Sequence, residues 1–281
     1  MLWNAKNGCA AIGDTEMHYV SFGRGARTFI ILPGLSDGLV TVSGKALMLA
    51  WPYRQFFKDF TVYMFSRKNS MPDGYTIRDM AADQAAACAA LGIGRACVMG
   101  VSQGGMIAQY LAIDHPELVE KLVIAVSVPR TDDALREGIL QRMAMAERGD
   151  HKSLMIDAAE KAYTEKKLRL YRMIYPLFGR IGRPKDYRRF LINARAIMTF
   201  DAEAELGRIA CPTLILGDAE DKTVGVQGSY DMHGRIPGSV LHVYPGLGHA
   251  AYEEAPDFND RVFRFLTDAP AGDAEKAPAQ P

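Results

Sequence analysis

A serine, an acid and a histidine spread over a 281-residue chain have the types and the order to cleave an acyl bond: Ser102, Asp221 and His249. A serine hydroxyl is too weakly acidic to attack a carbonyl unaided, so an imidazole must take its proton and later return it to the leaving group. A carboxylate then holds the imidazole's tautomer and stabilises its cationic form. The serine stands in Gly100-Val101-Ser102-Gln103-Gly104. Small residues at both ends of that motif let a strand and a helix approach around a sharp bend that pushes the hydroxyl outward. Residues 97–99 are an apolar run suited to a buried strand, and Met106, Ile107, Tyr110 and Leu111 recur at helical spacing. The five-residue pattern alone is common by chance, and its flanks are what make it a nucleophile bend. A plain glycine-rich crossover turn is the competing reading, and it leaves the other two residues without a role.

The acid lies in Asp218-Ala219-Glu220-Asp221-Lys222-Thr223-Val224, after a strand-like run at 211–217. Catalytic groups of parallel sheets gather at such carboxyl edges. Asp221 is preferred because it lies deeper in the loop; Asp218 directly follows the strand and can serve the turn, and Glu220 ranks third. His249 ends Pro245-Gly246-Leu247-Gly248-His249, past a strand at 240–244, where small neighbours let an imidazole swing over the sheet edge. A tetrahedral intermediate also needs two N–H donors. Gln103, the residue after the serine, supplies one, and the loop Pro33-Gly34-Leu35-Ser36-Asp37-Gly38 supplies the other. Pro33 has no N–H and Gly34 permits close approach, which leaves Leu35 or Ser36, with Leu35 the first candidate. The other histidines are assigned to structure: His18 and His242 within strands, His151 and His233 in helical stretches, His115 beside helix-end carbonyls.

The elements that must position these groups alternate. Strands are expected at 16–22 and 28–32, joined by a turn at 23–25 as an opening hairpin or meander, then at 61–65, 97–99 and 121–126. A helix at 76–91 is capped by Thr76 with Asp79 and stopped by Gly92. Strands alternating with helices of this length predict an α/β fold with a parallel sheet covered on both faces. From 129 to 209 the alternation stops, and helices are expected at 132–148, 152–167 and 187–205. The sheet resumes at 211–217, with a helix at 226–236, a strand at 240–244 and a closing helix at 258–266. Residues 268–281 form a Pro/Ala/charged tail expected to be disordered.

Within the helical stretch, 166–189 holds nine basic residues against one acid, Asp186, interleaved with Leu168, Leu170, Met173, Ile174, Leu177 and Phe178. It reads either as a solvated helix face or as a cationic, apolar lid for an anionic substrate or a membrane surface. Met143, Met145, Met155, Met173 and Met198 suit a compliant apolar pocket or an ordinary helix core. Lys+Arg and Asp+Glu both total 33, so the overall charge predicts no nucleic-acid partner. Cys9, Cys88, Cys97 and Cys211 lack metal-site spacing and read as reduced core residues; no metal or cofactor is expected. Without a signal peptide's apolar core or an apolar run long enough to span a bilayer, a cytoplasmic protein with a small-molecule partner is expected, and a homodimer is allowed.

The order of elements, together with Gly-Val-Ser-Gln-Gly-Gly, Gly-Asp-Ala-Glu-Asp-Lys-Thr-Val and Gly-Leu-Gly-His-Ala, resembles the α/β-hydrolase superfamily over residues 16–267. The resemblance implies core segments at 1–128 and 210–267 with a helical cap at 129–209. It supports Asp221, because the family's acid follows a strand and a glycine by a few positions. Many relatives carry His-Gly before the oxyanion residue; here Pro33-Gly34 stands instead, so Leu35 rests on position. The implied activity is a cofactor-independent serine hydrolase, an esterase acting on a small or medium carboxylic ester through an acyl-enzyme. C–C bond hydrolysis, acyl transfer and perhydrolysis use the same site, and a receptor that has lost turnover is the reading from another class. Serine at position 102 speaks against the haloalkane dehalogenase and epoxide hydrolase branches.

Overall fold

The computed structural model describes residues 2–268. The first half of the chain supplies β1 (Lys6–Ile12), β2 (Thr15–Gly23), β3 (Arg27–Leu32), α1 (Ala46–Ala50), β4 (Phe60–Lys68), α2 (Ile77–Ala90), β5 (Ala96–Val101), α3 (Gln103–Asp114) and β6 (Val119–Ala125). Four helices follow without a strand: α4 (Asp133–Glu147), α5 (His151–Ala162), α6 (Glu165–Ile174) and α7 (Arg188–Met198). The chain then returns through β7 (Thr213–Asp218), α8 (Gln227–Arg235), β8 (Val240–Tyr244), α9 (Ala251–Glu254) and α10 (Phe258–Thr267).

The strands make one eight-stranded sheet in the order β1-β2-β4-β3-β5-β6-β7-β8. Only β2 runs against the rest, being antiparallel to both β1 and β4. Strands buried on both faces must be apolar at successive positions. Accordingly Ile30, Leu32, Val98, Leu122 and Ile124 pack in the layer of α2 and α3, whereas Phe29, Ile31, Cys97, Met99 and Val123 pack in the layer of α10. Full burial of each large aliphatic among these stabilises the fold by about 1.5–3 kcal/mol. Because β3 lies between β4 and β5, the chains leaving β3 and β5 diverge. That divergence opens a crevice at the carboxyl ends of the two strands, where the 33–38 loop meets Ser102.

The helix at 77–90 is delimited as its sequence predicts. Thr76 Oγ1 accepts the Asp79 N–H at 3.1 Å, Asp79 Oδ2 accepts the Thr76 N–H at 2.9 Å, and Gly92 follows the helix at φ 68°.

Several expectations need correction. The opening hairpin is β1 with β2, one strand earlier than the pattern implies, and the turn at 23–25 makes no hairpin because β4 inserts between β2 and β3. The single helix expected at 152–167 is two, broken at Tyr163 and Thr164. There the Thr164 N–H and hydroxyl both donate to the Glu254 carboxylate, at 3.0 and 2.7 Å, and the Ala250 N–H donates to the Ala162 carbonyl at 2.9 Å. The helix expected at 187–205 stops at Met198, and Glu203–Arg208 is a 3-10 turn. Cys9 is no core residue: it lies exposed on the edge strand, while Cys88 and Cys97 are buried and Cys211 is half-buried, all four unpaired. The His115 ring approaches Glu117 at 3.5 Å rather than helix carbonyls. Apart from Asp268, the tail at 268–281 lies outside the described residues. Among the described residues no helix is long and apolar enough to cross a membrane.

Candidate active site

Ser102 joins β5 to α3 at φ 55° and ψ −120°, a backbone region that non-glycine residues avoid. The strain is held in place from three sides. The Ser102 N–H donates to the Ala125 carbonyl at 2.9 Å, and its own carbonyl accepts the Gly105 N–H at 2.8 Å and the Ser127 hydroxyl at 2.9 Å. The bend is also too tight for side chains at its flanks. A methyl group on Gly104 would lie 1.9 Å from the Leu32 carbonyl oxygen, and one on Gly100 would lie 2.2 Å from the Gly104 oxygen.

Loops after β5, β7 and β8 bring the three candidate residues together. His249 Nε2 lies 2.9 Å from Ser102 Oγ, and His249 Nδ1 lies 2.8 Å from Asp221 Oδ2. The acceptor-only carboxylate fixes the proton on Nδ1, which leaves Nε2 as a lone pair facing the hydroxyl. The other carboxylate oxygen, Oδ1, accepts the N–H groups of Thr223 at 2.7 Å and Val224 at 3.0 Å, so both oxygens are engaged.

The neighbouring acid behaves differently. Asp218, at the end of β7, is 2% exposed and neither of its carboxylate oxygens has a hydrogen-bond partner among the described residues. Burial, and secondly the charge of Asp221, push its carboxyl up to about 8, so it is protonated at neutral pH. Glu220 is exposed. Of the three acids weighed from the sequence, the imidazole therefore meets Asp221.

The loop at 33–38 presses on the serine, since a methyl group on Gly34 would lie 3.3 Å from Ser102 Cβ. Neither the Leu35 nor the Gln103 N–H donates to any group among the described residues, so both remain available to a ligand. Leu35 and Ser36 line the cavity that holds Ser102 and His249.

A buried polar network beneath this loop was not found from the sequence. Arg67, at the end of β4 and 1% exposed, donates to the Pro33 carbonyl at 2.7 Å and to Gln103 Oε1 at 3.0 Å. Burial lowers its pKa to about 10. Asp37 Oδ2 accepts both the Arg67 N–H at 2.9 Å and the Arg189 guanidinium at 2.8 Å, and Gln103 Nε2 donates to the Asn193 carbonyl at 2.8 Å. Gln103, and Pro33 and Asp37 on either side of Leu35, are thereby clamped to β4 and α7. The one available signal is the polar run Ser66-Arg67-Lys68 directly after the apolar residues 62–65.

The Ser102 cavity has a volume of about 420 Å³ and is roofed by Met155, Tyr171 and Phe178 from the segment between β6 and β7. An adjoining apolar cavity of about 360 Å³ shares Leu35 and Met155 and extends between Met48, Met64, Leu154 and Phe190. Of the five methionines considered for a pocket, only Met155 lines these cavities; Met143, Met145 and Met198 pack on the core, and Met173 is 69% exposed. The basic stretch is divided in its roles. Arg189 joins the buried network, Arg172 pairs with Glu160 and Glu165, and Arg188 pairs with Asp73.

A largely parallel sheet carrying a strained serine at the end of its central strand defines the α/β-hydrolase architecture. The family model described as alpha/beta hydrolase fold matches residues 52–256, and the chain belongs to that family. A relative from Caulobacter sp. strain K31, named "Putative carbamate hydrolase RutD", is 28% identical over 252 residues, covering 83% of this chain and 89% of its own. Its namesake in Klebsiella pneumoniae is 30% identical over 196 residues, covering 67% of this chain and 72% of its own. Among solved structures, the enol-lactonase of Burkholderia xenovorans LB400 superposes with a TM-score of 0.80 at 21% identity, over 93% of this chain and 100% of that one. An α/β hydrolase enzyme from a Medee basin deep-sea metagenome library gives 0.82 at 20% identity, over 94% and 98%. At these identities the structures speak for the fold alone.

Proposed function

We propose that this α/β hydrolase cleaves a small or medium carboxylic ester through an acyl-enzyme on Ser102. The observation that carries the reading is the unbroken hydrogen-bonded line from Ser102 Oγ through the His249 ring to Asp221. Ser102 Oγ attacks the carbonyl carbon as His249 Nε2 takes its proton, and Asp221 stabilises the imidazolium. The carbonyl oxygen becomes an oxyanion that accepts from the Leu35 and Gln103 N–H groups. Collapse of the intermediate releases the alcohol, protonated by His249. Water then attacks the acyl carbon with His249 as base, and Ser102 is regenerated with release of the acid. Residues 129–209 act as the cap that shapes the substrate space, and the adjoining apolar cavity takes an aliphatic chain.

The relatives named for carbamate hydrolysis favour a second reading, in which the same serine attacks a carbamate carbonyl. Nitrogen donation makes that carbon the poorer electrophile, so matched esters and carbamates compared in kcat/KM distinguish the two. The direct test is Ser102→Ala on chromogenic esters from acetate to laurate. Turnover is expected to fall by roughly 10³-fold or more with an unchanged melting temperature. Activity retained in the purified variant overturns the mechanism.

A further inference from the structure

The wall of the Ser102 cavity carries one cation, and only one of its five N–H donors is engaged among the described residues. Arg142, on α4, has a side chain 12% exposed and donates from Nε to Asp157 Oδ2 at 2.7 Å. Its Nη1 and Nη2 donate to nothing among the described residues. The side chain borders the cavity of Ser102, the adjoining apolar cavity and a further one of about 270 Å³ beside Lys161 and Lys222. Asp157 does not cancel the charge, because it also accepts Lys161 Nζ at 2.8 Å. Asp157 is shared between the two cations, so Arg142 has no carboxylate of its own.

A second unspent donor belongs to the same cavity lining. Thr223 Oγ1 is buried without a partner among the described residues, and Thr223 borders two of the three cavities that Arg142 borders, those beside Ser102 and beside Lys222. Its position is fixed by the backbone, since the Thr223 N–H donates to Asp221 Oδ1. Buried groups left unpaired are costly unless a ligand meets them. A guanidinium with two free amines matches a carboxylate in a bidentate fork, and a hydroxyl adds a further donor. Glu253, the carboxylate bordering this cavity elsewhere, accepts the Tyr163 hydroxyl at 2.7 Å and is exposed. An anionic group is repelled at that wall and drawn to the Arg142 wall.

We infer that Arg142 and Thr223 form a carboxylate subsite, so that the substrate is an ester or lactone bearing a free carboxylate. The inference deepens the ester-hydrolase reading and rests on it. The carboxylate sits on either the acyl or the alcohol part, and two substrate pairs separate these: 4-nitrophenyl hydrogen adipate against its methyl-capped diester, and 3-acetoxybenzoate against 3-acetoxybenzamide.

In at least one pair the wild-type enzyme is expected to favour the charged member in kcat/KM by about tenfold or more. Arg142→Met is expected to lower that preference about tenfold to hundredfold, chiefly through KM, and Arg142→Lys to restore part of it. Thr223→Val, which keeps the volume and breaks no ion pair, lowers it by a smaller factor. Equal rates for both members of both pairs, or a preference unchanged in Arg142→Met, overturns the subsite. If no ester is turned over, calorimetric titration of adipate into Ser102→Ala and into Ser102→Ala/Arg142→Met decides separately. Binding lost on removing Arg142 sustains the subsite while the ester reading fails, and no binding to either overturns the subsite too.

Discussion

The carboxyl edge of the sheet and the helical segment over it are built by different means. At the edge, position is set by backbone: a strained serine, glycines with no room for a methyl group, and a carboxylate pinned by two N–H groups. Over it, position is set by side chains that reach far along the sequence, as when Arg189 meets Asp37 across 152 positions. Backbone constraints tolerate almost no change in place. The Arg189–Asp37 contact is buried, so losing one partner strands a charge, whereas the exposed pairs of Arg172 and Arg188 can be exchanged one at a time. The edge therefore tolerates little change in place, while the segment above it is held by contacts that span the sequence.

Four changes press on that contrast, in falling order of effect. Asp221→Asn is expected to lower kcat by about 10⁴, because an amide no longer imposes the tautomer with the proton on Nδ1; Asp218→Asn, assayed alongside, keeps most activity. If the second variant loses more, the assignment of the acid is wrong. Gly104→Ala meets the Leu32 carbonyl, which cannot give way without moving β3, and is expected to cost at least about 3 kcal/mol in denaturant unfolding. A fully stable variant would show that the bend is not as tight as described.

Asp218 offers a third probe. Its folded pKa lies near 8 and its unfolded value near 4, so between those limits the unfolded chain has released a proton that the folded chain keeps. Stability therefore falls as pH rises through that window, by up to about 1.4 kcal/mol per pH unit. Asp218→Asn removes this loss, and its melting temperature relative to wild type is expected to climb from pH 4 to pH 8. A constant difference would mean that the acid is not held neutral. Last comes Arg172→Ala on α6, where a side chain 42% exposed pairs with Glu160 and Glu165; solvent screens both pairs, and the denaturant midpoint is expected to move less than in any of the other variants.

The same contrast explains what the sequence reveals. Gly100, Ser102 and Gly104 announce a bend because the constraint is local, and Thr76 with Asp79 announces a helix start for the same reason. Asp221 and His249 are legible as loop residues just past strands, and the structure brings both to Ser102. The break at Tyr163 and Thr164 is not legible, because its cause is Glu254, 90 positions away. Arg67 and Arg189 are hidden likewise: a charged side chain looks solvated until the fold supplies the Pro33 carbonyl and Gln103 for the one and Asp37 for the other. Strand β1 escapes notice because Lys6-Asn7-Gly8-Cys9 exposes most of its surface and takes its order from β2.

The junction at Ala162 and Thr164 has a consequence for how such a protein changes over generations. The backbone next to His249 is tied to the end of α5 through Ala250, and the start of α6 is capped by Glu254. A foreign helical segment grafted between β6 and β7 must therefore offer a carbonyl to Ala250 and a hydroxyl to Glu254, whatever molecule it is meant to admit. Segments that meet the condition can be exchanged freely; those that do not carry a penalty at the imidazole loop. Replacements of this segment are thus drawn from the subset that also anchors this loop.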